Sequence, residues 1–289
     1  MTWPTGQAVV TNITDVFKKP SEVASHKTGL KILAWGDEDT RKTGFCLSCP
    51  PPVYEVDTEL GAPPLFQHFV FCPKCQKYTT HVLSPEGKIG PCQVCGDMNG
   101  TMKDIHWCDA TYLNPNTDEP DPFVMLSRLE STIGLLKDVK KGTVCIDSGT
   151  DVWDWIQAWL EGVGKHKEGQ LLRFEWAKAK QRWRQLLLRL MAKPIHFVMT
   201  AQTQDIYQGG QPTGETRPRI QGASPHVFDI IIHCQKWKAL AGNPPVKSFK
   251  YMAEVTKCRF SKDFRPIIPD ITFDELAKQL KEKLQVEVW

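Results

Sequence analysis

A stretch that could bind phosphate follows the first apolar run of the chain. Lys31–Trp35 is apolar enough for a buried strand, Gly36 ends it, and Lys42 and Thr43 come six and seven residues later. Backbone amides and a lysine bind phosphate because both present positive charge. The spacing follows the pattern G-x-x-x-x-G-K-[ST], with an arginine in place of the second glycine. We therefore expect a nucleotide site that uses Gly36, Asp39, Thr40, Arg41, Lys42 and Thr43.

The same stretch carries residues that oppose phosphate binding. Asp37, Glu38 and Asp39 add negative charge, and each close like-charge contact costs on the order of 1 kcal/mol. Arg41 places a side chain where glycine normally lets the backbone approach a phosphate. An alternative is that Arg41 pairs with these acids or with the phosphate itself. The sequence leaves open whether the loop has lost nucleotide binding or binds nucleotide with a changed affinity.

Four of the ten cysteines have the spacing of a metal site. Cys72 and Cys75 form one C-x-x-C pair, and Cys92 and Cys95 form a second one. Sixteen residues lie between the two pairs. Two such pairs present four thiolates around one point, so we expect a structural Zn²⁺ in a zinc ribbon. Four free or redox-active thiols are the alternative. Four thiolates leave no open position on the metal, which argues against a catalytic zinc.

Hydrophobic patterning predicts alternating strands and helices, and therefore an α/β fold with a mostly parallel sheet flanked by helices. An apolar strand that ends in Asp147 has the form that orients Mg²⁺ behind a phosphate loop. A third C-x-x-C pair, 46–49, falls on the expected loop helix, where core packing is the expected role. The predicted strands are 31–35, 53–58, 142–147, 195–200, 227–233 and 250–256, and the predicted helices are 43–48, 123–139, 153–160, 171–191 and 273–284.

Basic and glycine-rich segments are the candidates for nucleic-acid contact. Residues 161–170 and 203–225 read as long loops, and the helix 171–191 interleaves six basic residues with aromatic and leucine side chains. That helix presents either a solvated cationic face or a DNA-facing one. The net charge of +3 is small, so DNA contact would have to come from such local patches.

Composition and length bound the remaining possibilities. The 289 residues, 41% of them hydrophobic, suit one large α/β domain with a small insertion. No run of about 18 apolar residues and no apolar leading segment is found, so we expect a cytoplasmic protein without a membrane partner (host-cell cytoplasm if the source is viral). The sequence contains no H-E-x-x-H pattern, so a zinc-dependent hydrolase is not expected.

Taken in the order in which they occur along the chain, the glycine–lysine–threonine loop, the strand ending in Asp147 and the later strands resemble the core of RecA-like P-loop ATPases. The resemblance is to the short versions of phages and archaeal mobile elements in particular. The resemblance covers 29–62 and 112–270. It implies a RecA-like core made of 29–62 and 112–289, a lead-in at 1–28 and a zinc-ribbon insertion at 63–111.

The resemblance also implies residue roles. Lys42 and Thr43 match the phosphate lysine and the Mg²⁺-binding hydroxyl, and Asp147 matches the acid that assists them. Glu59 matches the glutamate that activates the attacking water, and Gln202 matches the glutamine that senses the γ-phosphate. The remaining two implied catalytic residues, which in the family reach the nucleotide of a neighbouring subunit, are Lys257 and Arg259.

The implied function is ATP- and Mg²⁺-dependent action on single-stranded DNA in recombination, annealing or replication. The loops 161–170 and 203–225 fall where the family contacts DNA. Implied partners are copies of the same chain in a ring or filament and single-strand-binding or other replication proteins. The alternative is a non-hydrolysing RecA-fold subunit, either DNA-binding or structural, with a degenerate nucleotide site.

Overall fold

A computed structural model describes residues 29–163, 175–241 and 246–288, and this part of the chain contains fifteen strands and five α-helices. Short 3₁₀ segments occupy Pro63–His68, Leu136–Asp138 and Ser224–His226. The strands are β1 (Lys31–Gly36), β2 (Val53–Asp57), β3 (Val70–Cys72), β4 (Lys77–Thr79), β5 (His81–Leu83), β6 (Ile89–Cys92), β7 (Thr101–Met102), β8 (Ile105–Asp109), β9 (Thr143–Asp147), β10 (His196–Ala201), β11 (Thr203–Gln208), β12 (Gln211–Pro218), β13 (Ile230–Ala241), β14 (Val246–Cys258) and β15 (Ile267–Pro269). The helices are α1 (Lys42–Ser48), α2 (Pro122–Leu135), α3 (Gly149–Val163), α4 (Glu175–Met191) and α5 (Phe273–Leu284).

Eight of these strands form one mixed sheet in the order β15-β14-β13-β1-β10-β9-β2-β8. The six strands from β13 to β8 are mutually parallel, while β14 and β15 extend one edge by antiparallel pairing. The predicted α/β class with a mostly parallel sheet is therefore confirmed. Because β1, β2, β9 and β10 run the same way, the residues that follow them meet at one edge, where open α/β sheets bind ligands.

Helices cover both faces of the sheet, and each face has its own hydrophobic core. Alternation along β1 places Leu33 and Trp35 in one core and Ile32 and Ala34 in the other. The first core is closed by α2, α3 and α4, and the second by α1 and α5. Each fully buried aliphatic side chain contributes about 1.5–3 kcal/mol, so the two cores hold the strand ends rigidly.

The segment predicted as a zinc-ribbon insertion, 63–111, includes one strand of the large sheet. Residues 105–109 form β8, which pairs in parallel with β2 and is the edge strand of the large sheet. The small strands β3 to β7 form separate two- and three-stranded sheets. The cysteine-rich composition continues to Cys108, whereas strand pairing with the large sheet begins at Ile105.

The predicted loop 203–225 was wrong for most of its length. Residues 203–218 form the exposed hairpin β11–β12, which turns at Gly209 and Gly210. Both glycines have positive φ, 60° and 81°, as a two-residue turn between antiparallel strands requires. The many glycines made this segment resemble an irregular loop, although two of them serve only to turn the hairpin.

Several other predicted boundaries differ from the structure. The predicted helix 153–160 extends over Gly149–Val163, so the first three residues of the predicted loop 161–170 are helical. The strands predicted at 227–233 and 250–256 are the longer pair β13 and β14. The lead-in 1–28, the rest of that loop and the start of the basic helix, residues 171–174, lie outside the described residues. Within the described ranges, no helix has the length and apolar character needed to cross a membrane.

Candidate nucleotide and metal sites

A cleft of about 870 Å³ opens at the carboxyl edge of the parallel strands. One wall is the stretch 38–44, which connects β1 to α1 and begins that helix. Glu59 and Gln202 lie on a second side, and the start of the cysteine-rich insertion (Leu65, His68 and Phe69) forms a third. The volume is in the range of small-molecule sites. The insertion therefore helps to enclose the cleft. Its amino-acid composition gave no indication of this role.

Arg41 adopts the backbone conformation that a glycine would have at this position. Its φ of 63° is left-handed, and it is the residue immediately before α1. A non-glycine residue in this region costs about 1–2 kcal/mol. The guanidinium turns away from the loop and lies 4.0 Å from the centre of the Tyr251 ring on β14. The left-handed backbone thus places the arginine side chain against Tyr251 at the cleft wall.

Lys42 folds back onto its own loop. Its Nζ donates hydrogen bonds to the carbonyl oxygens of Gly36 at 3.0 Å and Asp37 at 2.6 Å. Gly36 must lack a side chain, because a Cβ there would lie 2.2 Å from the carbonyl oxygen of Cys234. The ammonium is thus held at the centre of the loop, where an anion in the cleft could replace the carbonyls as its partner.

The three acidic side chains of the loop, Asp37, Glu38 and Asp39, are exposed to solvent. Asp39 forms an ion pair with Lys236 on β13, at 3.4 Å. Solvent screening reduces their repulsion of an anion in the cleft, since exposed charges interact much more weakly than buried ones. The acids therefore oppose phosphate binding less than their number indicates.

Asp147, at the end of β9, is buried between two hydroxyl groups. Thr43 Oγ1 donates to Asp147 Oδ2 at 2.5 Å, and Thr200 Oγ1 on β10 donates to Asp147 Oδ1. Burial raises the pKa of Asp147 to about 6, against the lowering effect of the two hydroxyls; the charges of Glu59 and Asp57 raise it further. A buried carboxylate next to a threonine hydroxyl is an oxygen-rich site of the kind that Mg²⁺ prefers.

Glu59 and Gln202 meet at the cleft although 143 residues separate them. Gln202 Nε2 donates to Glu59 Oε1 at 3.2 Å. Buried Asp57 positions the turn that carries Glu59, because its carboxylate accepts backbone N–H groups from Glu59 at 3.0 Å, Gly61 at 3.3 Å and Ala62 at 3.0 Å. The pair is therefore presented by a hydrogen-bonded turn and by the end of β10.

Gln202 also begins the exposed hairpin. It is followed directly by β11, and its carbonyl accepts the N–H of Arg219, which follows β12, at 2.8 Å. Its own N–H donates to Thr150 Oγ1 at 2.9 Å. Gln202 thus connects the cleft to the base of the hairpin through backbone hydrogen bonds.

Lys257 and Arg259 do not line the cleft of their own chain. Lys257 Nζ donates to the carbonyl oxygens of Pro225, His226 and Phe228. Arg259 pairs with Asp229 at 2.7 Å, beside the start of β1. Six residues of extended strand separate Lys257 from Tyr251, a distance of about 20 Å. These two residues therefore lie at the opposite edge of the sheet.

The four predicted metal ligands come together in the cysteine-rich insertion. The sulfurs of Cys72, Cys75, Cys92 and Cys95 lie within 4.8 Å of one another, with Cys72–Cys95 at 3.5 Å and Cys75–Cys92 at 4.0 Å. Tetrahedral zinc–thiolate bonds of about 2.3 Å place sulfurs about 3.8 Å apart, so the donor set fits such an ion. The Thr79 hydroxyl, 3.3 Å from Cys92, lowers the pKa of that thiol to about 6, whereas contact with Cys95 raises the pKa of Cys75 to about 12. This cluster could bind a metal ion.

Sequence reasoning missed the residues that hold these groups in place. Thr200, Asp57 and Thr150 act through hydrogen bonds to Asp147, to the Glu59 turn and to Gln202. Tyr251 is missed because its partner Arg41 is 210 positions away in the chain. A polar residue at the end of an otherwise apolar strand was the available signal for Asp57 and Thr200.

Comparison of the sequence with protein-family models and with curated proteins finds no match.

Replacing the buried acid Asp147 by asparagine should change how stability depends on pH. Because the native pKa is about 6 and the unfolded value about 3.9, the native state binds more protons between these values, and raising the pH destabilises the wild type. Asp147→Asn removes this penalty. Its unfolding free energy should therefore gain up to about 3 kcal/mol relative to the wild type as the pH rises from 4 to 7. Urea unfolding in magnesium-free buffer measures this.

The exposed acid Asp263 is the control, and Asp263→Asn should follow the wild-type pH profile. Equal slopes for Asp147→Asn and the wild type would show that Asp147 does not titrate in this range.

Removing one ligand of the cysteine cluster should release its metal. Cys95→Ser should lower the metal content by one equivalent per chain and expose 63–104 to proteases, since small metal-bound segments lose most of their stability without the ion. Elemental analysis and limited proteolysis with mass spectrometry measure both effects. Cys108→Ser, a cysteine outside the cluster, should change neither. Unchanged metal content in Cys95→Ser contradicts this assignment.

Proposed function

We propose that this chain is a RecA-like ATP-binding protein that hydrolyses ATP in response to single-stranded DNA. The observation that carries the proposal is the convergence of Lys42, Thr43, Asp147, Glu59 and Gln202 at one edge of the sheet, around one cleft. These residues come from four separate parts of the chain. Their types supply an ammonium for phosphate, oxygen ligands for a cation, and a carboxylate that can act as a base.

Mg²⁺ fits the oxygen atoms of Thr43 and Asp147. When bound with ATP, Mg²⁺ neutralises phosphate charge and orients the phosphates. The chain's own contribution is to keep the hydroxyl and the buried carboxylate in contact through α1 and β9. The raised pKa of Asp147 reflects a buried negative charge without a counter-ion, which a divalent cation would supply.

Glu59 is the residue that we assign as the base for the attacking water. Its carboxylate borders the cleft, and Gln202 holds it through one hydrogen bond. A carboxylate that accepts a proton from water must be held within hydrogen-bond reach of it, and this contact restricts its orientation. Gln202 can exchange this hydrogen bond for one to a phosphate oxygen, which would couple the nucleotide to the hairpin.

DNA is the proposed partner of the hairpin β11–β12. The hairpin is exposed, projects from Gln202, and carries Tyr207 with 63% of its surface accessible. Exposed aromatic rings stack on the bases of single strands without sequence preference. The basic side chains Lys178, Lys180, Arg184 and Arg189 on α4 are exposed as well, while Arg182 pairs with Glu130. These basic side chains are the complementary surface for phosphates.

Self-association would complete the nucleotide site. Lys257 and Arg259 lie at the edge opposite the cleft, so they could approach the nucleotide only of a neighbouring copy. We propose that they do so in a ring or filament, and that the zinc ion expected at the cysteine cluster stiffens the wall beside the cleft. Replication proteins, including single-strand-binding proteins, remain proposed partners, and the cytoplasm, that of the host cell if viral, remains the proposed location.

A non-hydrolysing RecA-fold subunit is the second candidate. The observation in its favour is that the Lys42 ammonium already donates hydrogen bonds to the carbonyl oxygens of Gly36 and Asp37. Its loop also carries three acidic residues. Such a chain would bind DNA or other subunits through the same surfaces without turning over nucleotide.

Substitutions in the cleft should separate binding from hydrolysis. The wild type should bind MgATP, and single-stranded DNA should stimulate its hydrolysis. Lys42→Ala should lose binding, because its ammonium is the cation closest to the phosphate position. Glu59→Gln should keep binding but lower turnover by about 10²–10⁴-fold, the usual contribution of a general base. Fluorescent-nucleotide titration and phosphate release measure the two effects.

Lys137→Ala, an exposed lysine beyond α2, is the matched control and should retain both properties. If the wild type binds no nucleotide and Arg41→Gly restores binding, the enzyme proposal fails and the non-hydrolysing candidate holds.

The exposed tyrosine of the hairpin should contribute to DNA binding. Tyr207→Ala should weaken binding of single-stranded DNA by roughly tenfold, since stacking contributes about 1–3 kcal/mol per base. The logarithm of affinity should also fall linearly with the logarithm of salt concentration if basic side chains contact phosphates. Fluorescence anisotropy with a labelled oligonucleotide measures both effects.

Leu135→Ala, an exposed apolar side chain on α2, should bind as the wild type does. Salt-independent binding, or an unchanged affinity in Tyr207→Ala, contradicts this assignment of the hairpin.

A further inference from the structure

A second cluster of metal-binding residues lies inside the core, beneath the helix that begins at the phosphate loop. It consists of Cys46 on α1, Glu55 on β2 and Cys145 on β9, all fully buried. The two sulfurs and a carboxylate oxygen lie within 4.8 Å of one another. Glu55 and Cys145 are register partners on adjacent strands, and α1 brings Cys46 onto them.

Glu55 has no hydrogen-bond partner for either carboxylate oxygen within the described structure. Burying a carboxyl group without partners costs several kcal/mol, and an isolated buried carboxylate costs far more. The neighbouring Cys145 thiol is a weak donor and does not replace a full hydrogen bond. The buried acid therefore points into a space where, among the described residues, neither of its oxygens finds a hydrogen-bond partner.

We propose that Cys46, Cys145 and Glu55 bind a thiophilic divalent cation, with Zn²⁺ as the best fit. Two thiolates and a carboxylate are zinc ligands, whereas Mg²⁺ and Ca²⁺ use oxygen ligands only. Tetrahedral zinc sets sulfurs about 3.8 Å apart, so the groups need to close by at most about 1 Å. Cys49, buried in the same core and three residues beyond Cys46, is the nearest further thiol to serve as fourth ligand.

The charges around the cluster agree with a bound cation. Binding releases the thiol protons, and any proton on Glu55, to solvent, so that Zn²⁺ with two thiolates and one carboxylate carries one net negative charge. The buried ammonium of Lys103, which donates to the carbonyl of Leu47 at the end of α1 at 2.7 Å, is the nearby compensating charge.

This cation would hold together the three elements that carry the nucleotide site. Cys46 lies on the same seven-residue helix as Lys42 and Thr43, and Cys145 precedes Asp147 by two residues on β9. The inference is independent of nucleotide binding, because it depends only on the core beneath the cleft.

Counting zinc per chain tests the proposal. The full-length chain, expressed with zinc and purified without chelators, should contain two equivalents by elemental analysis. Cys145→Ser should retain one, and the double variant Cys72→Ser/Cys75→Ser, which disables the ribbon cluster, should also retain one. Cys234→Ser, a buried cysteine outside both clusters, is the matched control and should retain two. Circular dichroism verifies the fold of each variant.

If Cys145→Ser does not fold, Glu55→Gln, which keeps the side-chain size, replaces it and should also lose one equivalent. A wild type with one equivalent that Cys72→Ser/Cys75→Ser removes overturns the proposal, as does a folded Cys145→Ser that keeps two. A single equivalent lost in Cys145→Ser but kept in the ribbon variant supports this site and rejects the ribbon site instead.

Discussion

The buried carboxylate of Asp147 is the interaction on which the candidate site depends. Its two oxygens accept hydrogen bonds from Thr43 at the start of α1 and from Thr200 on β10, so one side chain joins three elements. The cost of burying this charge is visible in the raised pKa of Asp147. A fold that retains a buried acid of this kind, beside a cleft lined by a lysine and a glutamate, has the charges needed for a cation and an anion together.

The segment between β1 and α1 shows how a side chain is accommodated at a left-handed backbone position. Arg41 takes the left-handed conformation that a glycine adopts at little cost, and its guanidinium packs on Tyr251 outside the loop. The acidic residues of the loop remain in solvent, and one of them is paired with Lys236. The structure therefore keeps both Arg41 and the three acidic side chains at the margin of the loop, and Lys42 at its centre.

Two groups of cysteines could each hold a metal ion, and they differ in depth and environment. The cluster in the insertion is partly exposed and consists of four thiols, whereas the cluster beneath α1 is fully buried and includes Glu55. In the insertion, small sheets with few large side chains have little core of their own, so an ion would supply much of their stability. Beneath α1 the core is extensive, and the carboxyl group of Glu55, buried without a hydrogen-bond partner in the described structure, is the feature that requires explanation.

Local sequence patterns were enough to predict the α/β class, the positions of the main strands and the four-cysteine cluster. These follow from local patterns: apolar alternation, residues at strand ends and the spacing of C-x-x-C pairs. The sequence did not determine that β8 belongs to the large sheet or that 203–218 is a hairpin, because both depend on which strand pairs with which. The contacts of Glu59 with Gln202 and of Arg41 with Tyr251 join positions more than 140 residues apart. Only tertiary structure decides such contacts, since parallel strands bring together ends that the chain order keeps apart.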